Sequence, residues 1–181
     1  MNRWIALLRG INVGGHNKIQ MGELRNLCSD MGWQDVATCI QSGNVLFGAD
    51  SSMAELEQEL AGAIASHFGH RIQAIVRPSA AWPLYVRLNP FPEASQSEPD
   101  RVMLALAKKK LAADAADKLN EFAAGGETVA QLTDTLWIHY ANGSARSKLT
   151  PTLLDRLAGS PVTTRNWSTV LKINEMVGGK G

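Results

Sequence analysis

The chain has 181 residues, 45% of them apolar, and a formal net charge of +1. That length suits one domain or two small ones, and the composition excludes an intrinsically disordered protein. No apolar run approaches the roughly 20 residues of a membrane helix, and the five apolar residues before Arg9 fall short of a signal peptide, so a cytoplasmic protein without a membrane partner is expected.

Trp4–Arg9 has the length of a buried strand. A glycine-rich loop, "RGINVGGHNK", follows. Met21, Leu24, Leu27, Cys28 and Met31 then recur at the spacing of one helical face, with Gly32 as the stop. Val36–Gln41 and Val45–Phe47 flank "SGN" and read as a hairpin. Ser52 and Glu55 make a capping box for a helix striped by Met53, Leu56, Leu60, Ile64 and Phe68. Ile72–Arg77 alternates as a fourth strand, and a short helix carrying Trp82 follows from about Ser79.

The proline- and serine-rich stretch 89–100 reads as a linker. Beyond it the pattern returns: a strand at Arg101–Leu106, a helix striped by Leu111, Ala115, Leu119 and Phe122, and strands at Thr128–Leu132 and Leu136–Tyr140. A helix opens at Thr150-Pro151 and ends at Gly159, a short strand covers Val162–Thr164, and a last helix spans about Asn166–Val177. The expected class is α+β: two ferredoxin-like βαββαβ halves, 1–88 and 101–181, forming a repeat of pattern only.

"ALLRGINVGGHNKIQMGELR", "IQSGNVLF" and "TTRNWSTVLKINEM" resemble a bacterial family known as domain of unknown function 1697. The three stretches are spread from one end of the chain to the other. The resemblance implies an α+β fold of about this length and a cytoplasmic setting, and brings no catalytic residue with it. The family's usual form has proline after "HNKI", where this chain has Gln20.

Chemistry concentrates in the opening loop. Arg9, Gly10, Asn12, Gly14, Gly15 and Lys18 could hold an anion, since glycine turns expose backbone N–H groups and a helix N-terminus follows. The spacing is neither a Rossmann fingerprint nor a P-loop, because His16-Asn17 stands where Lys-Ser/Thr would be needed, which disfavours nucleotide hydrolysis in that manner. The rival reading is a turn that needs glycine. Asn44 at the hairpin, and Arg165 and Asn166 ahead of the last helix, would complete a site for a phosphate-bearing small molecule or nucleotide; Asn166 is also the natural N-cap there.

Charge is unevenly placed. Residues 1–22 carry Arg3, Arg9 and Lys18 and no acid, while 135–174 carry Arg146, Lys148, Arg156, Arg165 and Lys172 against Asp155 alone. A positive face of this kind suits phosphates or RNA, though the aromatic-rich sheet motif that stacks bases is missing. Lys108–Lys110 reads as a solvated run. Cys28 and Cys39 read as buried and reduced, and with no C-x-x-C pair they indicate no metal site. His67 and His70 read as a helix end. No cofactor, catalytic residue or oligomeric state is legible. The alternatives to a small anion are an RNA-binding module and a structural or partner-binding protein.

Overall fold

The computed structural model describes residues 1–179. It is a mixed α+β protein with two four-stranded antiparallel sheets. The chain divides into two compact units, Met1–Leu84 together with the chain from Ile173 onward, and Tyr85–Lys172. The boundary expected at 181 lies outside the described residues.

The first unit runs β1 (Asn2–Leu8), α1 (Met21–Asp30), β2 (Gln34–Cys39), β3 (Asn44–Ala49), α2 (Met53–Phe68) and β4 (Ala74–Pro78), then a 3-10 turn at Ser79–Ala81 leading into α3 (Trp82–Arg87). The strands are ordered β2-β3-β1-β4. The period-two alternation of β1 sends Trp4, Ala6 and Leu8 into one core with Val45 and Phe47 of β3, Leu24 and Cys28 of α1, and Leu56, Leu60 and Ile64 of α2. Trp33 stacks on Phe47 with ring centroids 3.8 Å apart. Each fully buried aliphatic side chain here removes surface worth about 1.5–3 kcal/mol from water. Burial pushes the Cys28 thiol up to about 12, so it serves as a small apolar filler.

The second unit holds α4 (Pro92–Ser97), a 3-10 turn at Pro99–Arg101, β5 (Val102–Ala107), α5 (Ala115–Glu121), β6 (Glu127–Leu132), β7 (Thr135–Tyr140), α6 (Pro151–Ala158), β8 (Val162–Asn166) and the start of α7 (Trp167–Gly178). Its sheet order is β6-β7-β5-β8. Ala105, Leu136, Ile138 and Val162 pack with Leu119 of α5 and Leu153 and Leu154 of α6. The α5 side chain of Asn120 meets the outer strand β6: its Oδ1 accepts from Val129 N at 2.9 Å and its Nδ2 donates to Val129 O at 2.8 Å.

Two local differences from the sequence reading have clear causes. The stretch read as a linker contains α4, because Pro92 falls at the first helical turn, where its missing N–H costs nothing. The first strand begins at Asn2 rather than Trp4, because Asn2 and Arg3 pair with Ala49 and Gly48 across the sheet.

Candidate functional site

The opening loop leaves β1 at Leu8, whose N–H donates to Gly43 O at 2.8 Å; Arg9 N donates to Gln73 O at 2.9 Å. Five residues in the next nine have positive φ: Gly10, Asn12, Gly14, Gly15 and Asn17. Val13 and His16 form an antiparallel bridge, with His16 N donating to Val13 O at 3.0 Å. Gly14 and Gly15 between them thus make a two-residue hairpin turn with both central residues left-handed, the conformation for which Gly-Gly is suited.

Asn12 is the clasp of this loop. Its Nδ2 donates to Ile19 O at 3.0 Å and to Gln41 O at 2.7 Å, and its Oδ1 accepts from Ile19 N at 2.9 Å. Asn17 Nδ2 donates to Gly10 O at 2.9 Å. Asparagine tolerates the left-handed region because its short amide can bond locally, and both positions use that property.

The β2–β3 hairpin lies at the same end of the sheet, because β3 runs antiparallel to β1 and Asn44 pairs with Leu7. The loop and the hairpin therefore converge. Gly43 is held so closely against the loop that a Cβ there would stand 2.5 Å from Ile11 Cδ1 and 2.9 Å from Leu8 Cβ. Asn44 is fully buried, and its Nδ2 donates to Cys39 O at 2.8 Å and to Ser42 Oγ at 3.0 Å. Its amide ties the hairpin together.

Where the loop meets α1 there is a hollow of about 770 Å³, lined by Asn12, Gly15, Lys18, Gln41 and the first turn of α1, Met21–Glu23. Gln20, the residue ahead of that turn, makes no side-chain capping bond. The main-chain N–H groups of Met21, Gly22 and Glu23 meet no acceptor among the described residues, as expected of a helix start without a cap. Lys18 is exposed at the rim; Glu23 is the acid of this rim.

The remaining expected residues lie in the second unit. Arg165 projects from β8, buried, and its guanidinium donates to Thr163 Oγ1 at 2.9 Å and Thr164 O at 2.8 Å. Burial pushes its pKa down to about 10. Asn166 caps α7: its Oδ1 accepts from Thr169 N at 2.9 Å, while its Nδ2 donates to Asp100 Oδ1 at 2.8 Å. Ser168 Oγ donates to the same oxygen at 3.0 Å, so a carboxylate of the chain itself occupies the start of α7. Sequence reasoning missed Asp100 and Gln41, and met Gln20 only as a departure from the family's proline. Only the absence of Ser, Thr, Asp or Asn at position 20 could have flagged the open helix start.

His139 Nε2 stands 2.9 Å from Glu98 Oε1, and that contact holds the Glu98 carboxyl below its ordinary value. Among the described residues no group of three or more His, Cys, Asp or Glu side chains could hold a metal ion. No helix among them is long and apolar enough to cross a membrane.

Comparison with solved structures finds a conserved bacterial protein, SP0830 from Streptococcus pneumoniae. It shares 24% identity and a TM-score of 0.73 over 97% of this chain and 98% of its own, a likeness of fold. No curated protein matches the chain. A family model described as "Protein of unknown function (DUF1697)" matches residues 1–137, which include the opening loop and the "QSGN" hairpin but not "TTRNW". With its two signature stretches interlocked at one end of the first sheet, the chain belongs to the DUF1697 family.

Proposed function

We propose that this is a cytoplasmic protein that binds the phosphate of a small molecule or nucleotide in the hollow at the start of α1. The observation that carries the reading is the uncapped helix start. Met21, Gly22 and Glu23, whose N–H groups meet no acceptor among the described residues, line the hollow together with Lys18, and the α1 dipole adds positive potential there. Asn12 and Gly15 form the wall, held in place by the bonds that Asn12 makes. Arg9 sits at the base of the same loop. Asn44 supports the wall through the hairpin rather than through a ligand contact. Arg165 and Asn166 stay outside the proposed site, since the bonds described above serve β8 and the start of α7. Glu23 limits the site by repelling a multiply charged anion.

The fold reading proposed with it is a ferredoxin-like half at 1–88 and another at 101–181, joined through 89–100. Its support is that each set of strands follows the order 2-3-1-4 within its own sheet, as a split βαβ arrangement requires.

A thermal-shift screen of inorganic phosphate, pyrophosphate and nucleoside mono- and triphosphates tests the site. At about ten times Kd a true ligand adds about 1.4 kcal/mol, a rise of about 3–6 °C. Lys18→Ala should abolish the rise, and Glu23→Gln should enlarge it. No rise with any of these compounds, or a rise unchanged in Lys18→Ala, overturns the proposal. A second reading, in which the loop is an architectural clasp with no ligand, draws on the Gly14-Gly15 turn and the internal bonds of Asn12 and Asn17; a negative screen leaves it standing.

A further inference from the structure

The second unit is rich in exposed cations. Arg146, Lys148 and Arg156, with Lys109 and Lys110, are exposed, and their side chains have no carboxylate partner among the described residues. Lys148 and Arg156 line hollows beside α6, and the main chain of Lys109 is fastened near its C-terminal end. Thr152 and Arg156, four residues apart, lie on the outer face of α6, opposite the buried Leu153, Leu154 and Ala158.

Two adjoining hollows share this ridge. One, of about 300 Å³, is lined by Phe122, Lys148, Thr150, Thr152, Leu153 and Arg156. The other, of about 430 Å³, is reached across Thr152 and Arg156 and closed by Gly159, Ser160 and Pro161. The lysine run is fastened to that far end, where Lys108 N donates to Pro161 O at 2.8 Å and Lys109 N to Ser160 Oγ at 3.1 Å. The near end holds Phe122, a large apolar side chain 38% exposed where α5 finishes. Asp155 is the acid of this face, and its Oδ1 accepts from Val162 N at 2.9 Å.

We infer that this groove across α6 is a binding track for single-stranded nucleic acid, with RNA as the probe. Charge complementarity selects a polyanion, because Lys148 and Arg156 line the two hollows, the lysine run is anchored at their far end, and a lone phosphate would engage only part of this set. The exposed phenyl selects a strand with bases, since stacking on an aromatic ring is available to every nucleobase and to no polyphosphate. The groove's shallow hollows suit an unpaired strand. The ring sits at a helix end rather than on the sheet, in one hollow with Lys148 and Arg156 from other segments. This track is independent of the α1 hollow, and Lys18 has no part in it.

The test is fluorescence anisotropy of the full chain with a labelled single-stranded oligouridylate of about 12 nucleotides. Binding should fall about 20-fold or more between 50 and 200 mM salt, as release of counterions from at least three phosphates requires. Lys148→Glu combined with Arg156→Glu should weaken binding about tenfold or more, and Lys109→Glu with Lys110→Glu provides an independent charge reversal. Phe122→Ala should weaken it about fivefold or more while leaving the salt slope unchanged. Lys18→Ala should leave it unchanged, which separates this track from the α1 site. Oligouridylate binding that survives both charge reversals overturns the inference. So does polyphosphate bound as tightly as RNA with Phe122→Ala silent, and so does binding to phosphatidylserine vesicles with none to RNA.

Discussion

A methyl group at position 43 would have no room. Gly43 has φ +75, and its missing Cβ would overlap Ile11 and Leu8. Gly43→Ala therefore combines a left-handed alanine with overpacking against a loop already fixed by Leu8 N and Asn12. A loss of about 2–4 kcal/mol is expected, read as a fall in the urea midpoint at unchanged slope. At this scale the sequence was partly readable. "SGN" announces a turn by composition, and "GG" announces positive φ. Composition could not reveal that Gly43 is pressed against Ile11, or that Asn12 reaches across to Gln41, because both facts arise from the pairing of β1 with β3. The same limit applies to Asn44: in sequence, an amide in a turn looks identical whether it faces solvent or, as here, donates to Cys39 O.

Helix ends were the most legible elements. The Ser52–Glu55 capping box is present, with Glu55 Oε2 accepting from Ser52 N at 2.8 Å and from Ser52 Oγ at 2.7 Å. These bonds favour the ionised carboxylate and hold Glu55 below its ordinary 4.5. A carboxyl depressed in the folded state contributes stability above its unfolded value and loses it as pH falls through the folded one. Between about pH 5 and pH 3 the wild-type melting temperature should thus drop more steeply than that of Glu55→Gln, measured by circular dichroism. If the two curves stay parallel, the capping box does not govern the acid response of α2. By contrast α4 escaped notice, because proline and serine suggest a loop unless the helix register is known in advance.

At the scale of the molecule, the order of the strands and of the longer helices was readable from periodicity, since alternating and 3.6-residue stripes differ over windows of this length. Sheet order and the grouping of charges were not. The cations of the α6 groove are scattered across more than forty positions of sequence, and only the turn between β5 and α5 and the loop after β7 bring them alongside one helix.

The bond between Asn120 and Val129 bears on how the molecule avoids its own kind. An outer strand displays unused main-chain donors and acceptors that invite a neighbouring chain to extend the sheet. On β6 the Asn120 amide imitates such a neighbour at Val129 and fills the place, while β2 is guarded differently, by a bulge between Gln34 and Ala37 where Asp35 turns left-handed and pairs with Arg3 at 3.0 Å. Asn120→Ala should leave the fold in place yet raise light scattering on concentration or mild heating, whereas Arg3→Ala, with the bulge intact, should scatter little more than wild type. A side-chain amide posing as a strand thus occupies the outer edge of β6 at Val129.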